Sequence, residues 1–263
     1  MKARIKFRKY GALRFIGHLD VMRFFQKVMR RADIPIAFTG GYSPHMIMSF
    51  ASPLGIGLTS DGEYFDIELR EPVPSEEAVR RMNEACTEGI EVISFRRIAE
   101  EKKMTGMTIL AAADYLAYKR NVNACPQEAP SLSADLKKSF SEFMAQKEIR
   151  VTKQTKRSER EVDIRPLIYE WRFEENAIFL KLAAGSRENL KPDLVMGSFA
   201  AWQESGGAET LSLRDLAYHR LEMYADAGKG AEHRFVSLES LGKPIRIRTS
   251  VQRDLLKDDR QSG

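Results

Sequence analysis

The stretch Ala3-Arg4-Ile5-Lys6-Phe7-Arg8-Lys9 alternates apolar and basic side chains with a period of two. A strand sends successive side chains to opposite faces, so Ile5 and Phe7 point to a core while Arg4, Lys6 and Arg8 point away. The turn Tyr10-Gly11 ends this period. From His18 the spacing becomes helical: Leu19, Met22, Phe25 and Met29 form one stripe, and Val21, Phe24 and Val28 widen it. Arg23, Lys27, Arg30 and Arg31 take the remaining surface. Asp33–Phe38 reads as a short edge strand interrupted by Pro35. Gly40, Gly41, Pro44, Pro53, Gly55 and Gly57 then mark a long irregular connection. Tyr64–Leu69 alternates again. Pro74-Ser75-Glu76-Glu77 opens a helix with Ser75 as the expected N-cap, Gly89 stops it, and Ile90–Phe95 is a further strand.

Strand, helix, strand, strand, helix, strand is the order of a ferredoxin-like split βαβ unit. The rest of the chain has a similar rhythm. Ala111–Lys119 has strand character, and Ser133–Lys147 is helical with Leu136, Phe140, Phe143 and Met144 on one face. Ile149–Thr155 and Ala177–Ala183 are strands around a charged connection, and Asn189–Met196 opens another helix. The expected fold class is therefore α+β, with two ferredoxin-like subdomains in tandem, at 1–104 and 105–241. The Pro-containing loop Asn121–Ser131 is an alternative breakpoint. Residues 242–263 are basic and polar without periodicity, and are expected to form a flexible tail.

Composition narrows the function classes. At 263 residues with 43% hydrophobic and 30% charged side chains, the chain can bury a real core. Two cysteines, Cys86 and Cys125, are too few for a disulfide scaffold, a four-cysteine zinc site or a cysteine-ligated iron–sulfur cluster. No apolar run approaches the roughly 20 residues of a membrane span, and Met1–Gly11 has charge but no apolar core of a signal peptide. The expectation is a cytoplasmic protein without a membrane, metal or cofactor. Charge is segregated: residues 1–60 hold ten Lys/Arg against two acids, whereas 61–104 hold seven basic and twelve acidic residues. Such a split fits a surface that faces a polyanion; a merely solvated basic face is the plainer alternative.

Several groups of residues carry possible chemistry. Gly17-His18-Leu19-Asp20 places His18 and Asp20 at a helix start, for acid–base work, phosphate positioning or simple capping. In Thr39-Gly-Gly-Tyr-Ser-Pro-His45, glycines allow close backbone approach, and Tyr42 and His45 offer rings for stacking, unless the segment is a plain turn. Lys153, Lys156, Arg157, Arg160 and Arg165 suit a hairpin that grips phosphates, and Asp163 with Arg165 equally suits an anchor. No Gly-Lys-Ser/Thr follows the glycine-containing loops, and there is no Gly-x-Ser-x-Gly elbow.

The segments Lys6-x-x-Lys9-x-Gly11, Arg14-Phe-Ile-Gly-His-Leu-Asp20, Arg30-Arg-Ala-x-Ile-Pro35, Gly41-Tyr-Ser-Pro44, Ser49-Phe-Ala51, Glu63-Tyr-x-Asp-Ile-Glu-Leu69 and Glu161-Val-Asp-Ile-Arg-Pro166, with Thr155-Lys156, resemble the blocks of the radical-SAM-linked family of bacteria. The resemblance covers residues 1–225. Gly17 stands where that family leads one to expect serine, and Ser158 where it leads one to expect glycine. The resemblance implies a radical-SAM partner enzyme and a link to RNA or ribosome metabolism, but no assigned activity. The three-cysteine cluster motif of a radical enzyme is absent.

The leading expectation is a noncatalytic RNA-binding or substrate-presenting accessory protein. It would grip RNA through Lys6, Arg8, Arg23, Lys27, Arg30, Arg31, Tyr42, His45, Lys153, Lys156, Arg157 and Arg165. One alternative is an RNA-modifying or RNA-cleaving enzyme that uses His18 and Asp20. Another is a protein-interaction adaptor that docks through the acidic 61–104 region.

Overall fold

The computed structural model of the chain describes residues 1–121, 123, 125–154, 159–205, 212–228 and 232–246. The alternating N-terminal stretch is strand β1 (Lys2–Lys9), with Ala3, Ile5 and Phe7 buried in the core. A short 3-10 turn, Gly11–Phe15, leads into helix α1 (His18–Arg31), which buries Val21, Phe25, Val28 and Met29. Strands β2 (Met48–Phe50) and β3 (Thr59–Glu68), helix α2 (Ser75–Ala85) and strand β4 (Ile90–Ile98) complete the first half. β1 lies between β3 and β4, antiparallel to both, and β2 pairs with the C-terminal part of β3. The rings of Phe7, Phe25, Phe50 and Phe65 pack at centroid separations of 4.6–6.3 Å beneath α1. Burying one such ring contributes about 2–3 kcal/mol.

Ser75 opens α2 but does not cap it. Its Oγ accepts from the Ile245 amide at 2.7 Å, while its own amide donates to Ile245 O at 3.0 Å. Residues 243–245 do not form part of the expected tail: β12 (Lys243–Pro244) pairs with β4, and Ile245 is buried. Residues 247–263 lie outside the described residues. Asp33–Phe38 contributes only the isolated bridges Ile36–Leu69 and Phe38–Met46 rather than a strand.

The second half comprises the helical turn α3 (Gly106–Ile109), β5 (Leu110–Lys119), α4 (Ala134–Met144) and the hairpin β6 (Arg150–Gln154) with β7 (Glu159–Asp163). β8 (Ile168–Phe173), β9 (Ala177–Ala183), α5 (Pro192–Ser205), β10 (Leu216–Asp226) and β11 (Phe235–Ser237) follow. Ser133 caps α4, its side chain accepting from the Leu136 amide. β5 lies between β9 and β10, and β8 pairs with β9, all antiparallel. Phe140, Phe143 and Phe199 fill a second core between these helices and the sheet.

The whole is a mixed α+β structure with one large, mostly antiparallel sheet of ten strands. Its main path runs β12-β4-β1-β3-β10-β5-β9-β8, with β2 on β3 and β11 on β10. The sheet passes through the expected boundary at residue 104 without a break, because the N-terminal end of β3 pairs in parallel with β10 (Thr59–His219 and Ser60–Arg220). This seam positions the candidate site.

Candidate functional site

Among the described residues two ladder pairs join β3 to β10, and buried polar side chains reinforce them. Gly62 makes the approach possible: a Cβ there would stand 2.6 Å from Leu221 O and 2.8 Å from Glu222 Cα. On the helix-covered side, the buried Arg220 guanidinium donates to Glu63 Oε1 at 2.8 Å, to Tyr115 Oη at 3.0–3.1 Å and to Ser52 O at 3.1 Å. Burial pushes the Glu63 carboxyl upward against the pull of Arg220 and Lys9. Lys9 is itself buried, with Nζ donating to Ile16 O at 3.1 Å, and burial lowers its pKa.

On the opposite face a row of hydrogen bonds crosses the seam. Thr59 Oγ1 lies 2.8 Å from His219 Nδ1, and His219 Nε2 lies 3.1 Å from Asp61 Oδ2. Asp61 Oδ1 accepts from Arg8 Nε at 2.7 Å. The His219 hydrogen bond, assisted by Arg8, holds the Asp61 carboxyl down at about 2 despite partial burial. Carboxylate, imidazole and hydroxyl in sequence fix the ring orientation of His219 and present polar atoms to the space above.

That space is a groove of about 530 Å³, bounded by Arg8, Tyr10, Arg14, Phe15, His219 and Gln127, with Thr59 and Asp61 also lining it. On the other side of the sheet a cavity of about 470 Å³ runs from the loop 52–58 to the start of α5, with Tyr115, Tyr218, Arg120, Lys191 and Arg220 in its walls. A third, about 350 Å³, lies between His18, Phe50, Met107 and Asn189.

The sequence-predicted residues scatter around these features. His18 is half-buried, its ring edge-on to Phe50 at 5.1 Å. Asp20 is 60% exposed and faces Arg23 at 3.7 Å. Gly17 is the N-cap of α1, so neither side chain caps the helix. A Cβ on Gly17 would meet nothing closer than 3.9 Å, so serine fits there. Lys27, Arg30 and Arg31 are exposed on α1.

Lys6 is not a free phosphate ligand. It is bound to Glu222 at 2.8 Å and Glu239 at 3.4 Å, and although burial opposes it, these carboxylates raise its pKa. Arg8 is exposed but held by Asp61 and Glu91. Arg165 anchors the segment after β7, donating to Met144 O at 3.2 Å. Tyr42 is fully exposed, while His45 Nδ1 bonds to Thr39 Oγ1 at 3.1 Å. Lys156 and Arg157 lie outside the described residues, as does the Lys153 side chain. Burial lifts the Cys86 thiol to about 11, and Cys125 donates to Gln127 Oε1 at 3.0 Å. Among the described residues no group of three or more His, Cys, Asp or Glu side chains is placed to hold a metal, and no helix is long and apolar enough to cross a membrane.

Sequence reasoning singled out none of Thr59, Asp61, His219 and Arg220 as site residues, and it placed Glu63 only within a family block. The local sign for Asp61 and Glu63 was carboxylates at the start of a strand-forming segment.

The profile of the family described as "Uncharacterized protein conserved in bacteria (DUF2344)" matches residues 2–192. The chain belongs to the DUF2344 family. No curated protein matches it. The DUF2344 match runs from β1 to the first residue of α5; it includes Thr59, Asp61 and Glu63 and stops before β10, which carries His219 and Arg220.

Proposed function

We propose that this DUF2344 protein is a noncatalytic RNA-binding platform that presents RNA to a radical-SAM partner enzyme. The observation that carries the RNA reading is the outer surface of α1. Lys27, Arg30 and Arg31 are exposed there and have no carboxylate within ion-pair distance among the described residues, while Arg23 has only the 3.7 Å contact to Asp20. Unpaired cations on one helix face are what a phosphate backbone neutralises. The radical-SAM partner rests on the sequence resemblance alone.

The architecture supports the reading. Each half orders its strands fourth, first, third, second: β4-β1-β3-β2, then β10-β5-β9-β8. This is the order of a split βαβ unit, and we read the chain as two ferredoxin-like units joined edge to edge. The acidic region favours an adaptor less. Its Glu77 and Glu84 pair with Arg80, Asp66 with Arg4, Glu63 with Arg220 and Asp61 with Arg8, so much of its charge is neutralised within the chain.

Binding of structured RNA across a salt series tests the proposal. Changing Arg30 and Arg31 to Glu removes two phosphate contacts, and should weaken binding and flatten the log–log salt slope by about 1.8 at roughly 0.9 per contact on a duplex. Unchanged affinity and slope would sink it.

A further inference from the structure

The groove on the Asp61–His219 side of the seam has no part in the α1 reading, yet it holds two aromatic rings in water. Phe15 is 57% exposed and Tyr10 38% exposed. Each has an arginine on its ring: the guanidinium carbon of Arg14 lies 4.3 Å from the Phe15 centroid, and that of Arg8 lies 5.8 Å from the Tyr10 centroid.

The rings sit on a backbone fixed at several points. The Tyr10 amide donates to Gly89 O at 2.9 Å, and Gly57 N donates to Arg14 O at 2.8 Å. Arg14 Nη1 donates to Gly11 O at 2.8 Å. Gly11 has a φ of +57°, and Gly89, at +98°, has no room for a side chain because a Cβ would lie 2.8 Å from Leu13 Cγ. The rings are therefore positioned before any ligand arrives. Asp61, His219, Thr59 and Gln127 line the same groove.

We propose that this groove binds unpaired nucleotides of a single RNA strand, stacking bases on Phe15 and Tyr10. The inference rests on the RNA reading above and adds which part of the RNA is held. An exposed ring offers a π-face to any base, and the Arg14 guanidinium beside Phe15, which has no carboxylate within ion-pair distance among the described residues, supplies charge for the backbone. A volume of about 530 Å³ admits a nucleotide-sized group. The polar side chains that line the groove, Thr59, Asp61, His219 and Gln127, supply donors and acceptors to base edges. A duplex keeps its base faces stacked inside the helix, so it gains nothing from these rings. The groove therefore selects single strands, whereas α1 accepts either form.

The test uses the full chain and two probes, a fluorescent oligouridylate and a blunt RNA duplex of equal length, titrated at fixed low salt. Phe15→Ala and Tyr10→Ala should each weaken oligouridylate binding roughly fivefold or more and leave duplex binding within twofold of wild type. Tyr10→Phe, which keeps the ring, should bind like wild type. Circular dichroism confirms that each variant is folded.

Oligouridylate affinity unchanged in the Phe15→Ala/Tyr10→Ala double variant, while Arg30→Glu/Arg31→Glu weakens binding, would overturn the groove and leave the α1 reading standing. Equal losses on both probes would also overturn it, because stacking is specific to unpaired bases. Failure of wild type to bind either probe would remove the RNA reading itself and the groove with it.

Discussion

Replacing Asp114 with Asn should make the protein more resistant to unfolding as the pH rises. Asp114 is buried in β5, facing Tyr224, whose hydroxyl donates to Oδ2 at 2.7 Å. Oδ1 has no hydrogen-bond partner among the described residues, and the Lys181 ammonium stands 3.8 Å away. Burial therefore outweighs the Tyr224 hydrogen bond and the Lys181 charge, and lifts the carboxyl from 3.8 to about 6. A folded-state pKa above the unfolded value means that the folded state holds its proton longer. The stability this confers is complete below the unfolded pKa and is lost as pH rises through about 6. About two pKa units correspond to roughly 3 kcal/mol, of which about 2 kcal/mol falls between pH 4 and pH 8. Asn cannot ionise, and its own packing cost is the same at every pH. The pH dependence of the difference between wild type and Asp114→Asn therefore isolates the ionisation. Urea unfolding of both proteins at pH 4, 6 and 8, followed by circular dichroism, measures it. The variant should gain about 2 kcal/mol on wild type between the end points. A difference that does not move with pH would refute the reasoning.

Other expectations follow from the seam. Glu63→Gln leaves Arg220 buried without its counter-charge and should cost about 3–5 kcal/mol in chemical denaturation; a loss below about 1 kcal/mol would show that Arg220 is satisfied without it. Gly62→Ala forces a Cβ against the β10 backbone and should cost about 1–3 kcal/mol, with faster amide exchange in Leu216–Asp226; unchanged exchange there would count against the close approach. Asp61, held at about 2, stabilises the fold above pH 4, and that stability is lost as pH falls through about 2. Because Asp61 is partly exposed, screening reduces the effect to about 1 kcal/mol. Asp61→Asn should therefore flatten the acid limb of the stability curve, and an unaltered limb would refute the assignment.

What could be read locally was read well. The Ser133 start of α4 and the run Ala177–Ala183 stand as the sequence predicts, whereas β1 and α1 form where expected with two departures: Arg4 is buried against Asp66 instead of pointing to solvent, and Leu19 is 58% exposed instead of joining the stripe. β10 was missed for a physical reason. The register shifts between Arg220 and Glu222, and a shift of one residue breaks the alternation by which a strand is recognised. The site residues were hidden by distance. Thr59 and His219 are 160 residues apart in the chain, and Lys6 finds Glu222 across 216. Sequence showed where the positive charges are, but not which of them already have a partner. That is why Lys6 and Arg165 looked free, while Lys27, Arg30 and Arg31 remain exposed.

The closing of the sheet by β10 has a consequence for how the chain is made. The first half can pair β4, β1, β3 and β2 once about a hundred residues exist, yet the strand that covers Thr59 and Ser60 follows only about 120 residues after the end of β4. At roughly 5–20 residues per second, the ribosome leaves that edge waiting about 6–24 s. An uncovered edge invites any passing strand. This one carries Asp61, Gly62 and Glu63, two carboxylates around a glycine, which pair poorly with an ordinary apolar strand. When β10 emerges it brings His219 to Asp61 and Arg220 to Glu63. The charges that repel a stranger thus become the recognition code for the one strand that belongs there.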